Sequence, residues 1–173
     1  MKRKILMLKH YDLTLGRIRT FAEDLRALFY PERQPLDITV WSAPGRVSYA
    51  EAMRGDYRPA RLGETFGPPW STHWFKVAGR IPETWAGREV HLLWNSQSEA
   101  CVWKAGRILQ GLTGAAIHAT PIRVEYPITA AARGGELAEF EIEVACNHLF
   151  GVRVDGASSE LRQAELAVFD RRA

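Results

Sequence analysis

Three glutamates, Glu139, Glu141 and Glu143, alternate with Phe140, Ile142 and Val144 along one segment of the chain. Hydrolysis of a glycosidic bond commonly needs two carboxyl groups flanking that bond. On one face of an extended chain, neighbours in this row stand about 6.6 Å apart, from a rise of roughly 3.3 Å per residue. That lies inside the roughly 6.5–9.5 Å window of inverting enzymes. Distance alone does not make an acid and a base. The acid also needs a pKa raised by burial, whereas three carboxylates opposite an apolar face read as the solvated side of an outer strand. The row is read as structural, and no catalytic residue is assigned to the chain.

The five histidines, His10, His73, His91, His118 and His148, are scattered, with no H-x-x-x-H or H-E-x-x-H pair to set two ring nitrogens on a helix face. They are expected to be partly exposed or hydrogen-bonded, and no metal site or cofactor is assigned here. No G-x-S-x-G, Walker loop or G-x-G-x-x-G signature occurs. Cys101 and Cys146 lack C-x-x-C spacing and are expected to be reduced thiols packed as small apolar side chains. The six tryptophans are the remaining chemical resource. A tryptophan can fill a core or, when exposed, offer a flat face to the C–H groups of a sugar. Trp74 and Trp94 read as core. Trp70, after two prolines, and Trp103, beside a hairpin tip, are the candidate carbohydrate contacts.

The elements that must hold these residues change period along the chain. Leu15, Ile18, Phe21, Ala22, Leu25, Leu28 and Phe29 recur at three- and four-residue intervals, which predicts a helix over 14–29. Thr14 is placed to cap it and Pro31 to end it. The helix is expected to pack on the rest of the domain through Leu15, Ile18, Phe21, Leu25 and Leu28. Leu36 to Trp41 suits a strand, and Ser48 with Glu51 makes an S-x-x-E capping box for one or two helical turns over 49–54. Residues 55–69 read as irregular. From Trp70 the period becomes two, in WSTHWFKVA, EVHLLWN, EACVWK turning through Ala105-Gly106 into RILQ, IRVEYPI, EFEIEVAC and AELAVF. Six or seven such strands with turn signals between them predict a mainly β fold, an antiparallel sandwich over about 70–170 behind an N-terminal helix.

Composition limits the function classes. The 173 residues, 46% hydrophobic and 25% charged, suit one folded domain with an appendage. The 23 Lys and Arg are interleaved with 20 Asp and Glu, and only Lys2-Arg3-Lys4 clusters, so nucleic acid is excluded as a partner. Ile5-Leu6-Met7-Leu8 follows that basic start, but Lys9 and His10 stop the run short of the roughly 7–15 apolar residues of a signal core. No segment approaches the roughly 20 apolar residues of a membrane span. The expected location is the cytoplasm, away from any membrane.

Six segments carry a resemblance. DYRPA (56–60), FGPPWSTHWFKV (66–77), IPETWAGREVHLLWN (81–95), VWKAGRILQGL (102–112), EVACNHLFG (143–151) and AELAVFD (164–170) resemble, in order and spacing, the N-terminal domain of the cytosolic and vacuolar type of α-mannosidase in glycoside hydrolase family 38. The resemblance implies a jelly-roll sandwich, similar in shape to galactose-binding domains, that precedes a zinc-dependent catalytic domain. In the family that zinc is held by His and Asp of the catalytic domain, where an Asp is the nucleophile of a retaining double displacement. None of those motifs occurs here. Where the family commonly reads W-G-T-T-W-F, this chain has Trp70-Ser71-Thr72-His73-Trp74-Phe75, and it has His148 where Gly is common.

The resulting expectation is a helix and connector over 1–55 and a β-sandwich accessory domain over 56–173, with the catalytic domain absent from this chain. Its role is that of a non-catalytic piece of an α-mannosidase, packing on the catalytic domain of the same polypeptide or on a neighbouring subunit of a homo-oligomer. The whole enzyme is expected to act on mannose-containing oligosaccharides. The alternative is an autonomous carbohydrate-binding module. Asn147, His148, Leu149 and Phe150 follow the most strongly alternating strand, so their loop lies at one end of the sandwich and is the candidate interdomain contact.

Overall fold

The computed structural model describes residues 10–114, 122–147 and 159–172; His148, Leu149, Phe150 and His118 lie outside them, and for 23, 26 and 27 only the backbone is described. In chain order the elements are α1 (Tyr11–Phe29), β1 (Glu32–Pro35), β2 (Asp37–Ser42), α2 (Tyr49–Ala52), β3 (Arg58–Pro59), β4 (Thr65–Phe66), β5 (Thr72–Arg80) and a 3-10 turn at Glu83–Trp85. Then follow β6 (Glu89–Asn95), β7 (Glu99–Lys104), β8 (Arg107–Leu112), β9 (Glu125–Thr129), β10 (Leu137–Ala145), β11 (Ser159–Glu160) and β12 (Gln163–Phe169).

A four-stranded sheet in the order β1-β12-β6-β9 faces a six-stranded sheet in the order β3-β2-β5-β10-β7-β8, and β11 pairs with β4. All the pairings are antiparallel. Alternation decides which side chains meet between the sheets. Val90, Leu92 and Trp94 of β6 and Leu166 and Val168 of β12 meet Phe75 and Val77 of β5 and Phe140, Ile142 and Val144 of β10. The ring centroids of Phe75 and Trp94 are 4.9 Å apart, edge to face, and join the two layers at their centre. Ala105 and Gly106 both take positive φ, 49° and 78°, as a tight two-residue turn between β7 and β8 requires.

Three expectations are corrected. β1 and β2 are strands of the two sheets, so the sandwich begins before residue 56 and the 1–55 segment is not a separate appendage. The run Glu32–Pro35 carries no apolar alternation and is a strand because β12 offers it an edge, where Pro35 is tolerated. Thr14 does not cap α1: the cap position is His10, and the Thr14 N–H already donates to the His10 carbonyl within the first turn. Finally, α1 does not bury its stripe. Ile18, Phe21 and Leu28 are 58%, 64% and 57% exposed, and Leu15 and Leu25 are half-buried. The chain passes from Phe29 to an edge strand within three residues, so the described ties of α1 gather at its last turn. There the Phe29 ring lies 5.9 Å from that of Phe169, and the Asp170 N–H donates to the Phe29 carbonyl at 2.9 Å.

Candidate functional site

Three places on the sandwich carry polar or aromatic groups that a partner could use. The first is the end where β5 begins and β10 finishes. Trp70 stands there, 60% exposed, its backbone held at φ 70°, a left-handed conformation rare for a bulky residue. Its N–H donates to the Cys146 carbonyl at 2.8 Å, which sets it beside Asn147. Asn147 is buried; its Nδ2 donates to Glu99 Oε2 at 2.8 Å, and its Oδ1 finds no partner among the described residues. The structure thus brings together Trp70 and Asn147, which the sequence placed in different candidate roles. Under them His73 is buried, with Nδ1 2.9 Å from Ser42 Oγ and Nε2 2.9 Å from Ser71 Oγ. Burial holds its pKa below the ordinary histidine value, so it is a neutral, hydrogen-bonded core histidine.

The second place is the outer face of the six-stranded sheet. The Ser48–Glu51 capping box forms as the spacing requires, and it fixes α2 over this face with Tyr49 pointing at the sheet. Tyr49 stacks on Trp103 with centroids 5.5 Å apart and planes 22° apart, and Trp74 lies 5.4 Å from Trp103. One ring face of Trp103 is therefore already covered. The Trp103 indole N–H donates to Glu143 at 3.2 Å, and the Tyr49 hydroxyl donates to Glu141 at 3.1 Å. This corrects the reading of a uniformly solvated glutamate row: Glu139 is exposed, but Glu141 and Glu143 are half-buried beneath the aromatic cover. Burial raises the Glu143 pKa, with the Trp103 hydrogen bond acting against it. Both carboxylates are taken up by donors of the same cluster, an arrangement that packs α2 onto the sheet.

The third place was not anticipated. On the outer face of the four-stranded sheet, Tyr30 Oη lies 2.9 Å from His91 Nδ1, His91 Nε2 lies 3.0 Å from Glu89 Oε1, and Arg171 Nε reaches Glu89 Oε2 at 2.5 Å. One tautomer satisfies the whole line, with the ring proton on Nε2 donating to Glu89 and Nδ1 accepting from the tyrosine. Arg171, then His91, lowers the Glu89 pKa, while burial, then Glu125, pushes the Tyr30 hydroxyl up to about 12. The line is built to hold shape, because it contains an un-ionised phenol and a paired carboxylate. Phe169 stacks on His91 at 4.8 Å, and Phe29, Tyr30, Leu93, Val124, Pro127 and Phe169 line a groove of about 730 Å³. A partial signal was present in EVHLLWN and AELAVF, whose outward positions carry Leu93, Ala167 and Phe169 among the polar Glu89, His91 and Glu165. Among the described residues no three His, Cys, Asp or Glu side chains converge as metal ligands.

Residues 34–167 match the family model for the alpha-mannosidase jelly roll domain. Alpha-mannosidase G of Dictyostelium discoideum is 33% identical over 97% of this chain, and alpha-mannosidase 2C1 of Homo sapiens is 36% identical over 95% of it. The chain spans 17% of the length of each of these relatives. Among solved structures, a β-glucuronidase from Ruminococcus gnavus in complex with uronic isofagomine superposes with a TM-score of 0.57 at 13% identity, over 80% of this chain and 29% of that one. A β-glucuronidase from Faecalibacterium prausnitzii does so with a TM-score of 0.53 at 13% identity, over 81% and 32%. At such identities the likeness shows the fold alone.

Proposed function

The chain belongs to the alpha-mannosidase jelly roll domain family, and from that premise we propose that it serves a larger α-mannosidase as a non-catalytic accessory domain. The observation that carries this reading is the match of nearly the whole chain to the N-terminal 17% of two α-mannosidases. The remainder of such a polypeptide supplies catalysis, and this domain packs on it or on a neighbouring subunit. The reaction proposed for the whole protein is retaining hydrolysis of α-mannosides in mannose-containing oligosaccharides, as the resemblance to family 38 implies. Zinc belongs to the catalytic domain in this reading. The described residues of this chain offer it no fitting ligand set. The proposed location is the cytoplasm; among the described residues no helix is long and apolar enough to cross a membrane.

The test is turnover of an aryl α-mannoside by the 173-residue chain and by the full-length polypeptide that carries it. The reading expects activity from the longer protein alone. Turnover by the short chain, abolished by Glu141→Gln, contradicts it. One observation favours a second reading, a carbohydrate-binding module: the exposed indole of Trp70 at the end of the sandwich. Saturable binding of mannosides to the isolated chain, lost in Trp70→Ala, supports that reading, and no binding removes it.

A further inference from the structure

We infer that the outer face of the four-stranded sheet, together with the apolar side of α1 rising from its edge, is the seat of the polypeptide that follows this domain in full-length family members. The inference rests on the accessory-domain reading and adds which surface does the docking. Of the candidate segment from sequence only Asn147 is described, where β10 of the other sheet finishes; 148–150 lie outside the described residues. Three observations point to the face of the four-stranded sheet.

The first is composition of an outer sheet surface. An antiparallel sheet facing water alternates apolar-in with polar-out; here the outward positions of β6 and β12 mix Glu89, His91, Gln163 and Glu165 with Leu93, Ala167 and Phe169. Leu93 and Ala167 are already covered within the chain, at 2% and 0% exposed, so the open part of this face is the groove beside Phe169. Phe29 and Tyr30 lie on Phe169 and leave an open groove beside them. The second is α1 itself. A helix gets most of its stability from packing an amphipathic face, and this one has no side-chain N-cap and exposes Tyr11, Leu13, Ile18, Phe21 and Leu28. An apolar run of that extent marks a surface made for contact.

The third observation says what the occupant is. β12 ends at Phe169, which lines the groove, and the Asp170 N–H is bonded to the Phe29 carbonyl, so the backbone leaves the sandwich between the last turn of α1 and the groove. The relatives contain this domain as their N-terminal 17%, and the rest of each polypeptide follows it. The segment nearest to this surface is therefore the one joined to it. Its chemistry is largely apolar: of the charged groups near the groove, Arg33 pairs with Glu165 at 2.8 Å, Arg171 with Glu89 at 2.5 Å, and the Glu125 carboxylate accepts from the Val124 N–H at 3.1 Å. A partner need bring no counter-charge, only side chains for the groove and for the stripe of α1.

The test uses the full-length polypeptide and, separately, this chain with the remainder supplied in trans. Ile18→Asp and Phe21→Asp sit at exposed positions, so the isolated chain should melt unchanged. Each should weaken association about tenfold or more, the factor for losing one buried large apolar side chain, and should speed proteolytic release of the domain from the full-length protein. Leu62→Asp, at an exposed leucine outside this surface, serves as the control and should bind as the unaltered chain does. Unaltered association in both α1 variants overturns the inference while leaving the accessory-domain reading intact. A dimer of the isolated chain that Phe21→Asp converts to monomer also overturns it, in favour of a second copy on this face. If the unaltered chain does not associate at all, the accessory-domain reading falls and takes the inference with it.

Discussion

Trp94 and Phe21 are both large aromatic residues on regular elements, yet Trp94 is fully buried between the sheets whereas Phe21 is 64% exposed on α1. The sandwich satisfies itself: the inward side chains of β5, β6, β10 and β12 form one buried cluster. The helix has an equally regular apolar pattern, yet among the described residues its ring contact and backbone bond to the sandwich are made at Phe29. An apolar pattern states that a face is to be buried; it does not state by what. The difference between the two regions separates the part of this domain that folds for itself from the part that anticipates company.

The sharpest way to break that comparison is to cut each region in turn. Trp94→Ala should cost about 3–5 kcal/mol of stability, read by urea or thermal unfolding of the isolated chain. Phe21→Asp should stay within about 0.5 kcal/mol. A cost for Phe21→Asp approaching that of Trp94→Ala means that α1 is packed within the chain after all. A finer probe of the core is Gly79 of β5, where an added Cβ meets Leu36 Cδ2 at 2.6 Å. Gly79→Ala should therefore lose about 1–3 kcal/mol through overpacking. An Ala added at Gly16 of α1 meets nothing within 4 Å. Gly16→Ala should instead gain about 0.5–1 kcal/mol of local helix stability from reduced backbone freedom, seen as added helicity with an unchanged sandwich melt.

The smallest effect belongs to Glu143. Burial raises its carboxyl pKa above the ordinary 4.5. A group raised on folding contributes stability below its unfolded pKa and loses that contribution as pH rises through the folded value. Glu143→Gln keeps an acceptor for the Trp103 indole and cannot ionise, so it should melt higher than the unaltered chain at pH 7. The two should converge below about pH 4. A variant that melts lower at pH 7 would show that the carboxylate charge itself supports the aromatic cover.

Much of the sandwich was legible in the sequence because alternation is a local property. Phe140, Ile142 and Val144 alternate in the sequence and are buried in β10 as their spacing requires, and the Ser48–Glu51 box is complete within four residues. What escaped depends on distant neighbours. Glu32–Pro35 is a strand only because β12 lies beside it. Glu141 and Glu143 stand opposite the core, as alternation says, but only the fold places Tyr49 and Trp103 over them. Of the two tryptophans read as candidate carbohydrate contacts, Trp70 is exposed, whereas Trp103 has one ring face covered by Tyr49, from 54 residues earlier in the chain. The line from Tyr30 through His91 to Glu89 and Arg171 joins residues from the two ends of the described chain to its middle, and no motif spans such a separation.

The account turns on whether α1 lacks a partner in this chain and finds one in the longer polypeptide, which amide hydrogen exchange reads directly. In the isolated chain the amides of β10 should exchange only through global unfolding, while those over the first three turns of α1 should exchange orders of magnitude faster, by local opening. In the full-length protein the α1 amides should become protected toward the level of β10. Protection of α1 that is already high in the isolated chain, or that remains low in the full-length protein, would contradict the account.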